Sequence, residues 1–509
     1  MNRKYLLALL AAIVLAAIAF GLRATFVREP APAAQPTQVV ELKNGDTYAL
    51  EAGFVDKKIG SQTFRMLAYN GSIPGPLLKA PQGAEVTINF TNNTDIDTTL
   101  HSHGLRLDNK YDGTPGLTQE AIGPRGTFTY KLKFPDTGMY WYHPHVREDY
   151  AQELGLYGNY LVSPKDDKYW SLVNREVPIF LDDLFVENGD IPLSKSAADH
   201  LLMGRFGNIM LVNGDTDYML AVNKGEVARF YLTNSANVRP FRFAIADTKM
   251  KLVGADGGAY ERDEWSDGVV IGPSERAVVE VLFDVPGKFP IQNRTPDQTY
   301  AIGNVVVSDQ LVTTSYKTEF ANLKTHEETI KSIDPFRGDF AREPDKRLNL
   351  SISMGGGMMG GGHMMPDGSM MGGSMGTPSA DGIEWEDSMT GMSDMGMAEW
   401  QIVDQDSRKK NMDIAWNFKV GDNVKIRIFN DPKSMHPMQH PIHFHGQRFL
   451  VLARDGVANT NFVWKDTVLV PAGQTVDILL DASNPGKWMA HCHIAEHLEA
   501  GMMFSYRVQ

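Results

Sequence analysis

The single cysteine of this chain stands between two histidines, in the run His491-Cys492-His493. His497 follows five residues after the thiol, and Met502 follows ten residues after it. A thiolate with two imidazoles and a weakly bound thioether is the ligand set of a blue-copper electron-transfer site. Cys492 is therefore predicted to bind a metal rather than to form half of a disulfide.

The order of these side chains indicates that one tripeptide contacts two metal centres. If residues 490–495 form a strand, His491 and His493 share one face and Cys492 points to the other. An electron that leaves a metal on Cys492 would then have a short covalent path to metals bound by the two histidines. We expect this segment to connect two sites.

Further histidine clusters can supply the second site. Three of them precede the cysteine: His101-Ser102-His103, His143-Pro144-His145, and His440 with His443 and His445. Together with the C-terminal run they contain 10 of the 14 histidines. One pair spaced by a single residue is typical of a half-exposed strand. Four such pairs, one of them around the only cysteine, favour metal binding.

In order and spacing, these clusters resemble the four copper-binding signatures of the multicopper oxidase family, and the resemblance covers nearly the whole chain after the N-terminal segment. In that family one copper lies alone, and three form a cluster that reduces dioxygen to water. The resemblance implies four copper ions and a catalytic role for Cys492 between them. It assigns His440, Cys492, His497 and Met502 to the lone type 1 copper, His101 and His443 to type 2, His103, His143 and His493 to one type 3 copper, and His145, His445 and His491 to the other.

Zinc is the competing metal, because histidines with a cysteine also bind zinc. A structural zinc site has four ligands, often several of them cysteines, and a catalytic site has three. Ten histidines and one cysteine exceed any common zinc site. Thiolate and thioether also suit a copper that cycles between Cu(I) and Cu(II), so copper is favoured.

Length and charge agree with a large exported enzyme. A chain of 509 residues is too long for one hydrophobic core, so about three domains are expected. The formal net charge of −13 argues against nucleic-acid partners and anionic membrane surfaces. With one cysteine the chain has no disulfide framework, so its cores and its metals must stabilise it.

Residues 1–37 are predicted to be a targeting segment with a linker. Arg3 and Lys4 precede the apolar run 5–22, and a Pro/Ala-rich stretch follows. Such a run is a signal peptide or an uncleaved anchor, slightly short of a full span of about 20 residues. We expect an exported protein, periplasmic or extracellular, that is either released or tethered to the cytoplasmic membrane.

Internal repeats divide the rest of the chain into three similar units. Gly-led strands with alternating polarity begin at Gly83, Gly225 and Gly421, and a glycine turn recurs at Gly138, Gly287 and Gly486. Short strands and frequent turns predict an all-β chain of Greek-key β-sandwiches. The family resemblance narrows these to three cupredoxin-like domains, with predicted boundaries 38–164, 165–320 and 321–509.

The three units differ in length and in histidine content. The glycine turns are 149 residues apart from Gly138 to Gly287 but 199 apart from Gly287 to Gly486. The additional residues are a Met-rich insertion, 354–397, with 12 of the 25 methionines. The second unit has no histidine after its turn, so the middle domain is predicted to lack copper ligands. The trinuclear cluster should then lie between the outer domains, with the middle one as spacer.

Reduction of oxygen also requires protons. Asp112 follows the first histidine pair at the spacing where family members place a carboxylate near the cluster, although an exposed Asp-Gly turn is the alternative. Related bacterial oxidases carry a glutamate directly after the second imidazole of the lone copper, whereas this chain has Leu498. Glu496 and Glu499 lie nearby without occupying that position. The proton donor is left open.

Substrate preference rests on methionine. Copper efflux oxidases carry a Met-rich segment over the lone copper, and thioethers select Cu(I). The insertion is therefore predicted to collect cuprous ions, although a plain low-complexity loop is the alternative. The candidate ligands are Met358, Met359, His363, Met364, Met365, Met370 and Met371.

A substrate-copper site is implied closer to the lone copper. The family uses two methionines there, which this chain matches at Met354 and Met438. The acidic residue expected four positions before His440 is replaced by His436. A neutral imidazole can also bind Cu(I), and Met435 adds a thioether nearby.

These observations predict an oxidase that couples one-electron oxidation of Cu(I) to four-electron reduction of dioxygen to water, in copper detoxification. Laccase-like oxidation of phenols is the enzymatic alternative, followed by oxidation of Fe(II) or Mn(II). A non-catalytic copper-sequestering protein is an alternative of another class, although storage does not require a cysteine-linked pair of centres. We expect a monomer.

Overall fold

The computed structural model describes residues 31–354, 379–386 and 398–509. The predicted apolar run 5–22 and most of the Met-rich insertion, including His363 and its neighbouring methionines, lie outside the described residues. Strands make up about 50% of the structure and helices 7%, so the all-β prediction is confirmed. Within the described ranges, no helix has the length and apolar character needed to cross a membrane.

The first sandwich consists of two sheets. Its strands are β1 (Val39–Glu41), β2 (Thr47–Ile59), β3 (Gln62–Tyr69), β4 (Leu77–Pro81), β5 (Glu85–Asn92), β6 (His101–His103), β7 (Thr127–Lys133), β8 (Gly138–His143) and β9 (Gly158–Ser163). One sheet has the order β3-β2-β5-β7, and the other has the order β1-β4-β9-β8-β6. Ala33 and Gln35, in the predicted linker, already form β-bridges with Asp56 and Ser72 of this sandwich.

The middle sandwich is built in the same way. Its strands are β10 (Arg175–Leu184), β11 (Ile209–Val212), β12 (Met219–Lys224), β13 (Glu226–Asn234), β14 (Phe241–Ile245), β15 (Met250–Ala255), β16 (Gly258–Ser266), β17 (Val269–Ile271), β18 (Arg276–Phe283), β19 (Gly287–Arg294) and β20 (Thr299–Leu311). The sheet orders are β11-β10-β13-β18-β15-β16 and β12-β20-β19-β14-β17. The sequence predicts one exposed face for β13, yet every residue of it is buried. Its second face is covered because β8 and a helix at 317–321 contact it.

The third sandwich carries the insertion. Its strands are β21 (Lys346–Met354), β22 (Ala398–Asp404), β23 (Ala415–Phe418), β24 (Asp422–Asn430), β25 (His440–Phe444), β26 (Arg448–Arg454), β27 (Val457–Ala458), β28 (Thr467–Val470), β29 (Thr475–Ala482), β30 (Gly486–Cys492) and β31 (Met503–Val508). The sheet orders are β22-β21-β24-β29-β26-β27 and β23-β31-β30-β25-β28. β21 and β22 pair with Met354 opposite Ala398, so the insertion leaves and re-enters at one sheet edge.

Helices in the described part of the chain are short. They are α1 (Glu148–Ala151), α2 (Lys317–Ala321), α3 (Glu327–Ile333) and α4 (Ala495–Glu499), with short 3-10 helices at Asn109–Tyr111, Asp334–Asp339 and Asn411–Asp413. α1 follows the second histidine pair and α4 follows the cysteine, and the two helices contact each other. They therefore lie beside the histidine-bearing strands.

One continuous hydrophobic core joins the first and third sandwiches, and the middle sandwich has a core of its own. Within the joint core, two strand pairs carry the histidines. β6 pairs with β8, which sets His101 opposite His143, and β25 pairs with β30, which sets His443 opposite His491. Hydrogen bonding between adjacent strands thus brings imidazoles from separate sequence motifs side by side.

Candidate metal centre

Three donor atoms converge at the end of β30. The Sγ atom of Cys492 lies 3.5 Å from Nδ1 of His440 and 3.7 Å from Nδ1 of His497, and the two nitrogens are 3.3 Å apart. His440 begins β25, the pairing partner of β30, and His497 lies on α4. Met502 is buried beside them, and its carbonyl accepts a hydrogen bond from the Cys492 N–H at 3.0 Å. We call these four residues the cysteine group.

Eight further histidines meet where the first and third sandwiches touch, and we call them the histidine cluster. Its members are His101, His103, His143, His145, His443, His445, His491 and His493, all of them buried. Three subsets have ring nitrogens within 4.8 Å of one another: His145 with His445 and His491, His101 with His443 and His445, and His101 with His103 and His143. The ring centroid of His493 lies 5.0 Å from that of His103 and 4.9 Å from that of His143. The structure thus brings all the predicted cluster residues together.

Most rings in the cluster use one nitrogen to bond the protein and leave the other free. Nδ1 of His101, His143, His443 and His491 lies 2.6–2.8 Å from a backbone carbonyl oxygen. Nε2 of His101, His143, His145 and His443 is buried with no hydrogen-bond partner among the described residues. A buried polar atom without a partner is rare and unfavourable. Metal-bound histidines have this arrangement, because the outer nitrogen fixes the ring, so these residues fit metal ions.

His103 presents the opposite nitrogen. Its Nε2 lies 3.0 Å from Oδ1 of Asp466 and 2.9 Å from Oγ1 of Thr467, while its buried Nδ1 has no partner in the described structure. A metal ion at this ring would therefore bind Nδ1. The sequence motif alone does not distinguish the two nitrogens.

The imidazoles are held in their neutral form. Burial, with repulsion from His445 as the next cause, lowers the pKa of His101 and of His491 to about 3. Burial also lowers the pKa of His445 and of His440 to about 3. Neutral imidazole is the form that binds a metal. At neutral pH no bound proton has to leave these rings before a metal can bind.

Cys492 connects the two groups of donors. β30 ends at Cys492, so residues 490–495 do not form the continuous strand that was assumed above. After Cys492 the chain turns into α4, which brings His497 back to the thiol. His491 still reaches the histidine cluster, and its Nδ1 bonds the Cys492 carbonyl oxygen at 2.8 Å. The thiol is fully buried, and burial raises its pKa. Thiol and flanking imidazoles therefore face two different sites.

Asp112 is buried, which excludes the alternative that it is an exposed residue of an Asp-Gly turn. Its Oδ2 lies 2.9 Å from Nδ1 of His445, and its Oδ1 lies 3.5 Å from Nδ1 of His101. Thr114 donates a hydrogen bond to Oδ2 at 2.7 Å. Burial raises the pKa of this carboxyl. Asp112 thus supports two rings of the histidine cluster at once.

Glu148 is a site residue that the sequence analysis missed. It lies on α1, and its Oε1 is 3.3 Å from Nδ1 of His145 while its Oε2 is 3.9 Å from Nδ1 of His143. It is buried, and among the described residues neither oxygen has a hydrogen-bond partner of good geometry. Its position three residues after His145 was the available signal. Leu498, where related oxidases have a glutamate, is buried on the neighbouring α4.

A second missed contact comes from the middle sandwich. Arg276, at the start of β18, is fully buried and donates from Nη1 to Oδ1 of Asp466 at 2.8 Å. The same carboxylate holds His103. Nε of Arg276 also donates to the carbonyl of Met139 in the first sandwich at 2.9 Å. The middle domain is therefore more than a spacer, because its guanidinium stabilises the support of one cluster histidine.

Two residues of the predicted substrate-copper site, His436 and Met438, shortly precede His440 of the cysteine group. His436 is buried, and neither of its ring nitrogens has a hydrogen-bond partner in the described structure. Met438 is fully buried, whereas Met435 is 49% exposed. Met354 ends β21, and its side chain is outside the description. The ring centroid of Trp400 lies 6.4 Å from that of His436.

Comparison with known proteins agrees with this arrangement. Sequence models of the multicopper oxidase family match residues 55–167, 175–316 and 386–509. The multicopper oxidase mco of Staphylococcus aureus is 26% identical over 449 residues, covering 87% of this chain and 83% of that protein. Copper resistance protein A of Pseudomonas syringae pv. tomato is 25% identical, covering 95% and 96%. The structure of the McoA multicopper oxidase from Aquifex aeolicus has the same fold, with a TM-score of 0.70 at 22% identity over 94% of this chain and 99% of that one.

Proposed function

Because this chain belongs to the multicopper oxidase family, we propose that it oxidises a one-electron reductant, Cu(I) by preference, with dioxygen as the acceptor. The balanced reaction consumes four Cu(I), one dioxygen and four protons, and it yields four Cu(II) and two molecules of water. In an exported protein, this reaction would detoxify copper. Its proposed location is the periplasm or the extracellular space.

One observation carries the proposal: a buried thiol with two flanking imidazoles joins two separate groups of buried donor atoms. The proposed type 1 copper ligands are His440, Cys492, His497 and Met502, the type 2 ligands are His101 and His443, and the type 3 ligands are His103, His143 and His493 on one ion and His145, His445 and His491 on the other. Copper in these groups would supply reversible one-electron chemistry at the first and oxygen binding at the second.

The protein side chains position the donors and connect the two groups. Cys492 provides the covalent path through its backbone to His491 and His493. Neutral, anchored imidazoles keep their free nitrogens aimed inward without competing protons. We assign Asp112 a catalytic role at the histidine cluster, because its carboxylate contacts His445 and lies 3.5 Å from His101. Burial of the side chains in both groups excludes bulk water from them.

Two features support Cu(I) as the reductant. His436, with two unpartnered ring nitrogens, and Met438 lie next to the cysteine group, and an imidazole with a thioether suits Cu(I). The Met-rich insertion connects β21 to β22, and Met354 at its start pairs with Ala398 just after its end. Trp400 lies two residues further along β22. The similarity to copper resistance protein A of Pseudomonas syringae pv. tomato agrees with both features. The methionines would thus deliver cuprous ions close to the entry point of electrons.

The test combines spectroscopy with turnover. The copper-loaded enzyme should show an intense blue absorption that Cys492→Ser abolishes, together with dioxygen uptake; their absence would leave only copper storage. Deleting 355–378 and, separately, His436→Ala should lower the rate of Cu(I) oxidation while a phenol is still oxidised. Unchanged Cu(I) oxidation in both variants would instead favour a laccase-like enzyme.

A further inference from the structure

Trp400 covers the two imidazoles of the cysteine group. It lies on β22 and is fully buried. Its ring centroid is 4.1 Å from that of His497, with the ring planes 31° apart, and 4.8 Å from that of His440, with the planes 71° apart. The indole thus stacks on one ligand ring and meets the other with an edge. No step of the proposed function uses this residue.

One hydrogen bond holds the indole of Trp400, and two more hold its backbone. Nε1 of Trp400 donates to the carbonyl of Leu201, in the middle sandwich, at 2.8 Å. Its backbone N–H donates to the carbonyl of Ala500 at 3.2 Å, and its own carbonyl accepts from Nδ2 of Asn411 at 2.9 Å. The ring is therefore a fixed cover and not a side chain that swings freely.

The middle sandwich extends this cover. Residues 201–206 lie against the chain between Cys492 and His497, and Leu202 and Met203 belong to the same hydrophobic core as Trp400. Gly204 has φ of +71°, and a Cβ atom there would lie 2.7 Å from the side chain of Ile494. The Gly204 backbone thus packs directly against Ile494, and His497 beyond it is fully buried.

The cover matters because of where electrons must enter. Nδ1 of His440 and of His497 faces the thiol, so the opposite edges of both rings point away from it. The backbone side of Cys492 leads to the histidine cluster. Electrons from a reductant must therefore arrive over the imidazole rings, which Trp400 covers. Both rings are buried, so an aromatic reductant that approaches from the side of Trp400 meets the indole before it meets an imidazole.

We propose that Trp400 is a specificity-determining residue, which excludes phenols from the imidazoles of the cysteine group and reserves electron entry for metal ions bound beside His436. His436 lies on another side of the same indole, with the two ring centroids 6.4 Å apart. A single metal ion fits between side chains where a six-membered ring with its substituents does not. The inference rests on the proposed oxidase function.

The first experiment uses the copper-loaded enzyme without oxygen. Stopped-flow bleaching of the blue absorption gives the rate constants for reduction by 2,6-dimethoxyphenol and by Cu(I). Trp400→Ala should raise the rate constant for the phenol about tenfold or more. The ratio of the Cu(I) rate constant to the phenol rate constant should therefore fall. The matched control is Trp416→Ala, because Trp416 is a buried tryptophan of the same sandwich whose Nε1 donates to Asp404, away from the imidazoles. This control should keep both rate constants.

A second variant and a metal-free measurement guard against misfolding of Trp400→Ala. Leu202→Ala opens the cover from the middle sandwich and should raise the phenol rate constant as well. In the metal-free protein, diethyl pyrocarbonate should modify His497 faster in both variants than in the wild type or in Trp416→Ala, as measured by peptide mass spectrometry. Absence of blue absorption in the wild type would overturn the oxidase function, and the labelling would still test the cover. The role of Trp400 would be overturned if every folded variant showed the blue absorption but reacted with the phenol and with diethyl pyrocarbonate at the same rates as the wild type.

Discussion

Nε2 of His445 and Nε2 of His491 lie 3.0 Å apart. The other nitrogen of each ring is already bonded, Nδ1 of His445 to Asp112 and Nδ1 of His491 to the Cys492 carbonyl. Two nitrogen ligands about 2.0 Å from one metal ion, at angles between 90° and tetrahedral, are separated by about 2.8–3.3 Å. Both rings therefore turn the same nitrogen to a common point, as two ligands of one ion do.

Replacing one of these rings should affect the histidine cluster and leave the cysteine group unchanged. His445→Ala is expected to abolish dioxygen uptake and lower the copper content, while the blue absorption of the cysteine group persists, because none of its ligands is changed. Metal analysis, absorption spectroscopy and an oxygen electrode measure the three quantities. His326→Ala is the control, since His326 is a buried histidine that bonds Asp263 outside both groups. Loss of the blue absorption with retained oxygen uptake would contradict the assignment.

The donor residues could be predicted from sequence because metal chemistry restricts their type and strand geometry restricts their spacing. His101 and His103, for example, are separated by one residue on β6 and belong to one cluster. Their supports could not be predicted in the same way. Arg276 and Asp466 are 190 residues apart, and only the packing of two sandwiches brings them together. Trp400 likewise reads as an ordinary core tryptophan until the stacking on His497 is seen.

Glu148 is expected to orient His145 through its Oε1, which lies 3.3 Å from Nδ1 of that ring without the geometry of a full hydrogen bond. Glu148→Gln keeps the shape of the side chain and one such oxygen, whereas Glu148→Ala removes it. Supports of this kind change metal affinity or activity by about 10–100-fold, so Ala should lower copper retention against a chelator, and Gln should preserve most of it. Glu327→Ala, which changes an exposed carboxylate in the first turn of α3, should have no effect. An equal loss in Gln and Ala would show that orientation by the acceptor is not the role.

Arg276→Met tests whether the middle sandwich supports the histidine cluster. Removing one partner of a buried ion pair is destabilising by about 3–5 kcal/mol, so the melting temperature should fall. Arg229→Met is the matched control, because Arg229 is a buried arginine of the same sandwich that forms an ion pair with Glu280. Both variants should melt earlier, but only Arg276→Met should lower oxygen uptake per folded molecule, since Asp466 then no longer holds His103. Equal losses of activity in the two variants would indicate general destabilisation.

Asp136 is expected to make the joint between the outer sandwiches sensitive to acid. It accepts hydrogen bonds from Arg106 at 2.7 and 2.9 Å and from Arg448 of the third sandwich at 3.3 Å. Burial alone would raise the pKa of Asp136, but Arg106 and Arg448 together outweigh burial and lower the pKa below its ordinary value of 3.8. A carboxyl with a lowered folded pKa stabilises the protein above its unfolded pKa and loses that contribution as the pH falls through the folded value.

Asp136→Asn should therefore lower the melting temperature at pH 7, by an amount equivalent to about 1–3 kcal/mol for lost hydrogen bonds to a charged group. The difference from the wild type should shrink as the pH is lowered below about 4, because the wild-type carboxyl then becomes neutral as well. Thermal melts at several pH values measure it. Asp108→Asn is the control, since Asp108 pairs with Lys110 at the surface and surface pairs contribute little. A difference that stays constant from pH 7 to the acid limit would mean that the charge of Asp136 does not stabilise the joint, and that its hydrogen bonds alone do.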